Sequence, residues 1–149
     1  MELSGKTNIS PKIWGSYFWK TFHLSTFGYP KEPNELDKET YKTFYITFMK
    51  ILPCDGCSIK SQKIINEESI VNDELINGLE SRDALIKWGY NFHKKVNDSL
   101  GVKSPELEEF INDITLLISG KQKINYLFIG ILILVLLIVI FMRYTFRSP

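Results

Sequence analysis

The chain has 149 residues, a formal net charge of +1 and 13% aromatic residues. This length suits one modest domain with an appendage. Because the charge is nearly balanced and no run of lysine or arginine occurs, we expect no nucleic-acid partner. The first ten residues, MELSGKTNIS, lack the apolar centre of a signal peptide, so we treat 1–10 as an N-terminal tail.

Apolar residues in the next hundred positions recur at helical spacing rather than at strand spacing. Pro11 begins an aromatic-rich segment, and a second helix is predicted over Lys38–Leu52. A short helix should follow the cysteines, and another should run over Arg82–Leu100 with Ser81 as its N-cap. A further helix start follows Ser104. The pattern predicts an all-α bundle over 11–120.

The C-terminal stretch is strongly apolar, with no charged residue from Ile124 to Met142. As a helix it would extend about 28 Å, close to the roughly 30 Å of a hydrocarbon core. We therefore predict a C-terminal transmembrane helix over 124–142 and a short tail over 143–149. Because so few residues follow the span, it should act as a tail anchor that leaves the domain in the cytoplasm.

Cys54 and Cys57 are the only two cysteines of the sequence. A pair this close would close too small a loop to stabilise the fold much. A structural zinc ion needs four ligands, and the chain adds only His23 and His93, outside any finger spacing. A redox pair at a helix N-terminus is favoured, with two unreactive buried cysteines as the alternative. No side chain here accepts the two electrons of dithiol oxidation, so a cofactor or partner is required.

Three blocks of the sequence resemble the FAD-linked sulfhydryl oxidases of the Erv/ALR type, especially the short forms of large DNA viruses. WGSYFWKTFH begins at Trp14, FMKILPCDGC ends at Cys57, and WGYNFHKKVNDSL begins at Trp88. The blocks follow one another in the order and spacing of the family. The resemblance implies a four-helix bundle plus a short fifth helix, holding FAD beside the cysteine pair.

The resemblance also implies roles for individual residues. Cys54 would react with the substrate and Cys57 would lie next to the flavin. The implied FAD-binding residues are Trp14, Gly15, Trp19, His23, Tyr45, Trp88, His93, Lys94, Val96, Asn97 and Lys103. The implied reaction forms disulfide bonds in protein substrates and passes the electrons to molecular oxygen, giving hydrogen peroxide. No metal is expected.

Two positions depart from the family pattern, because Lys94 replaces an asparagine and Ser16 stands where many members have arginine. No further cysteines form a shuttle pair, so the substrate, a thioredoxin-like or other thiol-bearing protein, would reach Cys54 directly. The resemblance implies a homodimer that serves viral disulfide formation and virion assembly at host cytoplasmic membranes or the virion membrane. The alternatives are a flavin-free, membrane-anchored interaction protein that retains the bundle and a protein whose single span is its active part.

Overall fold

The structure is a computed structural model that describes residues 7–66, 69–120 and 126–145. These residues form seven helices: α1 Pro11–Phe27, α2 Glu35–Lys50, α3 Asp55–Asn66, α4 Ser69–Gly78, α5 Arg82–Ser99, α6 Leu107–Ile118 and α7 Tyr126–Thr145. The chain divides into two compact units, Met1–Ile114 and Thr115–Pro149. The predicted all-α fold is confirmed.

Local sequence signals explain where several helices begin. Proline occupies the first turn of α1, where its missing N–H would have no helical partner. α2 begins three residues earlier than predicted because Asn34 and Asp37 form a reciprocal capping box. The Ser81 side chain accepts a hydrogen bond from the Ala84 N–H and so caps α5 as predicted.

One helix of the first unit was not predicted. α4, Ser69–Gly78, follows α3 closely and packs against α3 and α5. Four of its ten residues are apolar, and their spacing could have indicated a helix. Leu75 and Leu79, near its end and just beyond, are almost fully buried, so α4 supplies one side of the core.

The core of the first unit is formed mainly by aromatic side chains from α1, α2 and α5. Phe22, Tyr45 and Trp88 are each at most 5% exposed, and their ring centroids lie 4.9–5.7 Å apart. Edge-to-face and tilted rings at such distances add to the free energy gained by burying their area. The other members of the buried cluster are Tyr29, Met49, Leu75, Leu79, Leu85 and Phe92.

The predicted transmembrane helix is wrong. Among the residues that the structure describes, no helix is both long and apolar enough to cross a membrane. α7 is helical over Tyr126–Thr145, but its side chains are described only over 130–143. The cytoplasmic placement inferred from this helix stays a prediction.

Candidate active site

The two cysteines form a disulfide at the beginning of α3, with a Cα–Cα distance of 5.2 Å. Cys54 directly precedes the helix, and its Sγ accepts a hydrogen bond from the Cys57 N–H at 3.2 Å. Pro53, before Cys54, follows the end of α2. The disulfide therefore lies at the N-terminus of α3, where a backbone N–H already bonds to sulfur and where the helix stabilises negative charge on sulfur.

Polar contacts from two other segments hold the beginning of α3. The buried Ser58 hydroxyl lies 3.2 Å from the Met49 carbonyl and 3.1 Å from the Lys50 carbonyl, at the end of α2. From the N-terminal side, the Asn8 Oδ1 accepts the Asp55 N–H at 2.9 Å. The short segment that carries both cysteines is thus attached on two sides.

A cavity of about 330 Å³ opens beside the disulfide, between the first half of α1, the beginning of α3 and the end of α5. Six of the predicted site residues line it: Trp14, Gly15, Trp19, Cys54, Cys57 and Val96. Its remaining lining residues are Pro11, Phe18, Leu52, Gly56, Lys60, Ser61, Ile64, Ser99 and Leu100. This volume lies in the range of small-molecule sites, which are usually apolar with a few polar groups.

Two predicted histidines lie next to Trp19 on the inner side of the cavity wall, and neither lines the cavity. The Trp19 and His93 rings stack with centroids 3.6 Å apart, and His93 Nδ1 lies 2.8 Å from His23 Nε2. Burial lowers the pKa of His23 to about 3, with the neighbouring His93 adding to the effect, and burial lowers the pKa of His93 to about 4. Both imidazoles are therefore neutral at physiological pH, and His23 Nδ1 has no hydrogen-bond partner among the described atoms.

Two predicted site residues lie in the core and do not line the cavity. Trp88 packs against Phe22, Tyr45 and Phe92. Tyr45 is fully buried, and its hydroxyl lies 2.9 Å from the Ser25 hydroxyl. Burial raises the pKa of Tyr45 well above its ordinary value, so the hydroxyl stays protonated.

Three further predicted residues lie along and beyond the last turns of α5, also outside the cavity lining. Lys94 is exposed and forms an ion pair with Asp98 at 2.8 Å. The Asn97 side chain donates to the Ser104 hydroxyl at 3.0 Å, which ties α5 to the segment that follows. Lys103 lies exposed in that segment.

Several lining residues were missed from the sequence, although spacing could have found some of them. Lys60, Ser61 and Ile64 follow Cys57 by three, four and seven positions, which is the spacing of one helical face. Ser99 and Leu100 follow Val96 by three and four in the same way. Asn8, in contrast, is separated from Asp55 by 47 positions, and no local pattern indicates that contact.

The arrangement defines a class of protein: a helical bundle that carries a disulfide at a helix N-terminus, beside a cavity lined by aromatic side chains. The sequence model of the Erv1 / Alr family matches residues 16–114. The chain belongs to this family.

Individual relatives agree with that assignment. A probable FAD-linked sulfhydryl oxidase of Acanthamoeba polyphaga mimivirus is 34% identical over 118 residues, covering 79% of this chain and 80% of the relative. The FAD-linked sulfhydryl oxidase ERV2 of Saccharomyces cerevisiae is 30% identical over 100 residues, covering 67% of this chain and 47% of the relative. The crystal structure of the FAD binding domain of Erv1 from Saccharomyces cerevisiae matches with a TM-score of 0.59 and 27% identity, covering 68% of this chain and 90% of that one.

Proposed function

We propose that the chain is an FAD-dependent thiol oxidase that forms disulfide bonds in thiol-bearing proteins and passes the electrons to molecular oxygen. The observation that carries the proposal is the cavity itself, because one wall contains the Cys54–Cys57 disulfide and another contains the rings of Trp14 and Trp19. A disulfide beside flat apolar surfaces is the arrangement needed to exchange electrons with a planar cofactor. Family membership and the named relatives support the same function.

The residues of the cavity fit FAD. Indole faces stack well on planar rings, and a Cβ added at Gly15 would meet nothing within 4 Å, so a ligand can approach the backbone of α1 there. Lys60 and Ser61 add polar groups to the lining near the cysteines. We assign the aromatic and apolar lining to the ring system. The neutral His23–His93 pair does not line the cavity and supports Trp19 from behind.

The chain's own part in the reaction is thiol–disulfide exchange. A substrate thiolate attacks Cys54 Sγ, the Cys54–Cys57 bond breaks, and the electron pair leaves on Cys57 as a thiolate. A second substrate thiol then breaks the mixed disulfide, so the substrate leaves oxidised and both cysteines are reduced. FAD, when bound, accepts the two electrons of the dithiol and transfers them to oxygen, which gives hydrogen peroxide. The assignment of Cys54 to the substrate and Cys57 to the flavin follows the family resemblance.

The substrate proposed for this site is a small, thioredoxin-like protein. The sequence has no cysteine besides Cys54 and Cys57, so no second pair within the chain can relay electrons from a distant substrate. Whatever is oxidised must bring its own thiol to Cys54. Viral relatives such as the mimivirus protein support a role in viral disulfide formation during virion assembly.

A second copy of the chain is the proposed occupant of a groove between α1 and α2. The groove is lined by Trp14, Tyr17, Phe18, Thr21, Phe48, Ile51, Leu52 and Pro53. Tyr17 is 71% exposed and Ile51 is 57% exposed, so the groove presents large apolar side chains to solvent. Sedimentation at several concentrations should show a dimer that Tyr17→Lys converts to a monomer. A parent chain that stays monomeric would exclude this partner.

The full chain tests the proposed function directly. The purified parent should be yellow, contain FAD in a one-to-one ratio, and consume oxygen when dithiothreitol is added. Cys57→Ser should keep the flavin and lose the oxygen uptake, whereas a serine change at the exposed Thr43, remote from the cavity lining, should leave both unchanged. A colourless chain that FAD does not restore would contradict the proposal and support the flavin-free interaction protein.

A further inference from the structure

The N-terminal residues 8 and 9 are attached to the segment that carries the disulfide. The Asn8 Oδ1 accepts the Asp55 N–H at 2.9 Å, and the Asn8 Nδ2 donates to the Asp55 carboxylate at 3.4 Å. The Ile9 N–H donates to the Pro53 carbonyl at 2.7 Å. Two consecutive residues thus form hydrogen bonds with the residues directly before and after Cys54, which are Pro53 and Asp55.

The attachment is itself fixed in position. The Trp14 indole N–H donates to the Ile9 carbonyl at 2.9 Å, which ties the N-terminal residues to α1. Asn8 has φ of 53°, in the left-handed region that asparagine enters more readily than most residues. An asparagine therefore supplies both the backbone conformation and the carboxamide that the contact needs.

We propose that Asn8 is a positioning residue for the redox disulfide, acting through the backbone of Asp55. Asp55 is the first residue of α3 and Cys54 precedes it, so holding the Asp55 N–H fixes how Cys54 approaches the first turn. In that position Cys54 Sγ accepts the Cys57 N–H at 3.2 Å. The inference depends on the proposed function in one respect only, namely that Cys54 and Cys57 are the redox-active cysteines.

The contact should favour the reduced form of the pair. A thiolate accepts a hydrogen bond from a backbone N–H more strongly than a disulfide sulfur does, because the thiolate carries the charge. Fixing Cys54 against the first turn of α3 therefore stabilises the dithiol state more than the disulfide state. A stabilised reduced form makes a disulfide a stronger oxidant of its substrates.

The test compares asparagines at two helix starts. Asn8→Gly removes the carboxamide and keeps access to positive φ, whereas Asn8→Ala removes the carboxamide and also disfavours that φ. The matched control is Asn34→Gly, because the Asn34 Oδ1 accepts the Asp37 N–H at 2.9 Å at the beginning of α2, where no cysteine lies. All variants are made in the full chain.

Each variant is equilibrated without oxygen in mixtures of reduced and oxidised glutathione, and its thiols are trapped and counted by mass spectrometry. The exchange converts one protein disulfide and two glutathione thiols into a protein dithiol and one glutathione disulfide. Asn8→Gly and Asn8→Ala should both shift this equilibrium about tenfold toward the protein disulfide, which is about 30 mV for a two-electron couple. Alkylation of the reduced pair should show the pKa of Cys54 rising in both.

For Asn34→Gly, we expect an equilibrium constant with glutathione that lies within twofold of the parent value. The proposal is overturned if Asn8→Gly also stays within twofold, if only Asn8→Ala shifts, or if Asn34→Gly shifts as far. A shift confined to Asn8→Ala would assign the effect to backbone strain rather than to the carboxamide. The equilibrium needs neither flavin nor oxygen, so a chain without flavin would contradict the proposed function and leave this test intact.

Discussion

The aromatic core and the beginning of α3 are held together by different forces. In the core, rings such as Phe22 and Tyr45 are wholly buried and contact one another through their faces and edges. The beginning of α3 depends on hydrogen bonds from other segments, through Asn8 and Ser58. The comparison suggests that stability resides mainly in the first region, whereas the chemistry of the second can be adjusted without unfolding the bundle.

Removing a ring from the core should have the largest effect on stability. Phe22 is 0% exposed and contacts Tyr45, Trp88 and Phe92, so Phe22→Ala leaves a cavity among rings that cannot close it. We expect a loss of about 3–5 kcal/mol in the free energy of unfolding, measured in urea. Leu36→Ala is the control, since Leu36 is 76% exposed and its loss should change stability by about 0.5 kcal/mol at most. Equal effects of the two changes would contradict the conclusion that stability resides mainly in the aromatic core.

Acidification should weaken the chain through its two buried histidines. Their pKa values are lowered to about 3 and about 4, so between about pH 6.5 and 4 the unfolded chain binds protons that the folded chain does not. The free energy of unfolding therefore falls as the pH falls, by about 1.4 kcal/mol per histidine at one unit below 6.5.

The measurement is urea unfolding of the flavin-free chain from pH 7.5 to 5.5. His93→Gln should remove about half of the pH dependence, because one of the two buried imidazoles is gone. A parent chain whose stability is flat over this range would show that the two histidines take up protons equally in the folded and the unfolded chain, which contradicts the lowered pKa values.

Ser58→Ala tests the polar region and should have an intermediate effect. Ser58 is 2% exposed, and its hydroxyl faces the last carbonyls of α2 and accepts from Gln62. Its loss removes the buried hydroxyl that contacts the Met49 carbonyl and Gln62, which should cost about 1–2 kcal/mol in urea unfolding. Ser119→Ala provides the comparison, because the Ser119 hydroxyl makes a hydrogen bond on an exposed helix surface. If Ser58→Ala lowers the free energy of unfolding no more than Ser119→Ala does, the hydrogen bonds between α2 and α3 contribute little to stability.

The same glycine change should have opposite, small effects at Gly89, which contacts the core, and at Gly15, which lines the cavity. A Cβ at Gly89 would lie 3.0 Å from Thr26 Cγ2, and the Thr26 hydroxyl is already bonded to the His23 carbonyl. Gly89→Ala should therefore lose about 1 kcal/mol, since crowding exceeds the gain in helix propensity. Gly15→Ala meets nothing within 4 Å and should gain about 0.5–1 kcal/mol.

Flavin content separates these two variants further. Because Gly15 lines the cavity, Gly15→Ala should purify with less FAD although its flavin-free form is more stable. A Gly15→Ala chain that retains full FAD would place the ligand away from this part of α1.

The sequence predicted most of the helices because their apolar residues follow a local period. The Ser81 cap and the proline at the beginning of α1 were confirmed on the same basis. α4 was missed even though four of its ten residues are apolar. The transmembrane prediction was wrong, because no helix among the described residues is both long and apolar enough to cross a membrane.

Only some of the site residues could be predicted from the sequence. Trp14, Trp19 and the cysteines could be chosen from motifs, and the structure brings them to one cavity. The motifs assigned Tyr45 and Trp88 to the cofactor site, whereas the structure packs both in the core, as the helical spacing of apolar residues would place them. The contact of Asn8 with Asp55 joins residues 47 positions apart, and such a pair becomes visible only after the chain has folded.

The most direct test of the account is whether electrons reach the flavin through the cysteine pair. Dithiothreitol is added without oxygen to the purified full chain, and the visible absorption of the oxidised flavin is followed. The account predicts rapid bleaching in the parent and none in Cys54→Ser or Cys57→Ser, although dithionite should bleach all three. Bleaching by dithiothreitol at the parent rate in both variants would contradict it, because the flavin would then be reduced without Cys54 and Cys57.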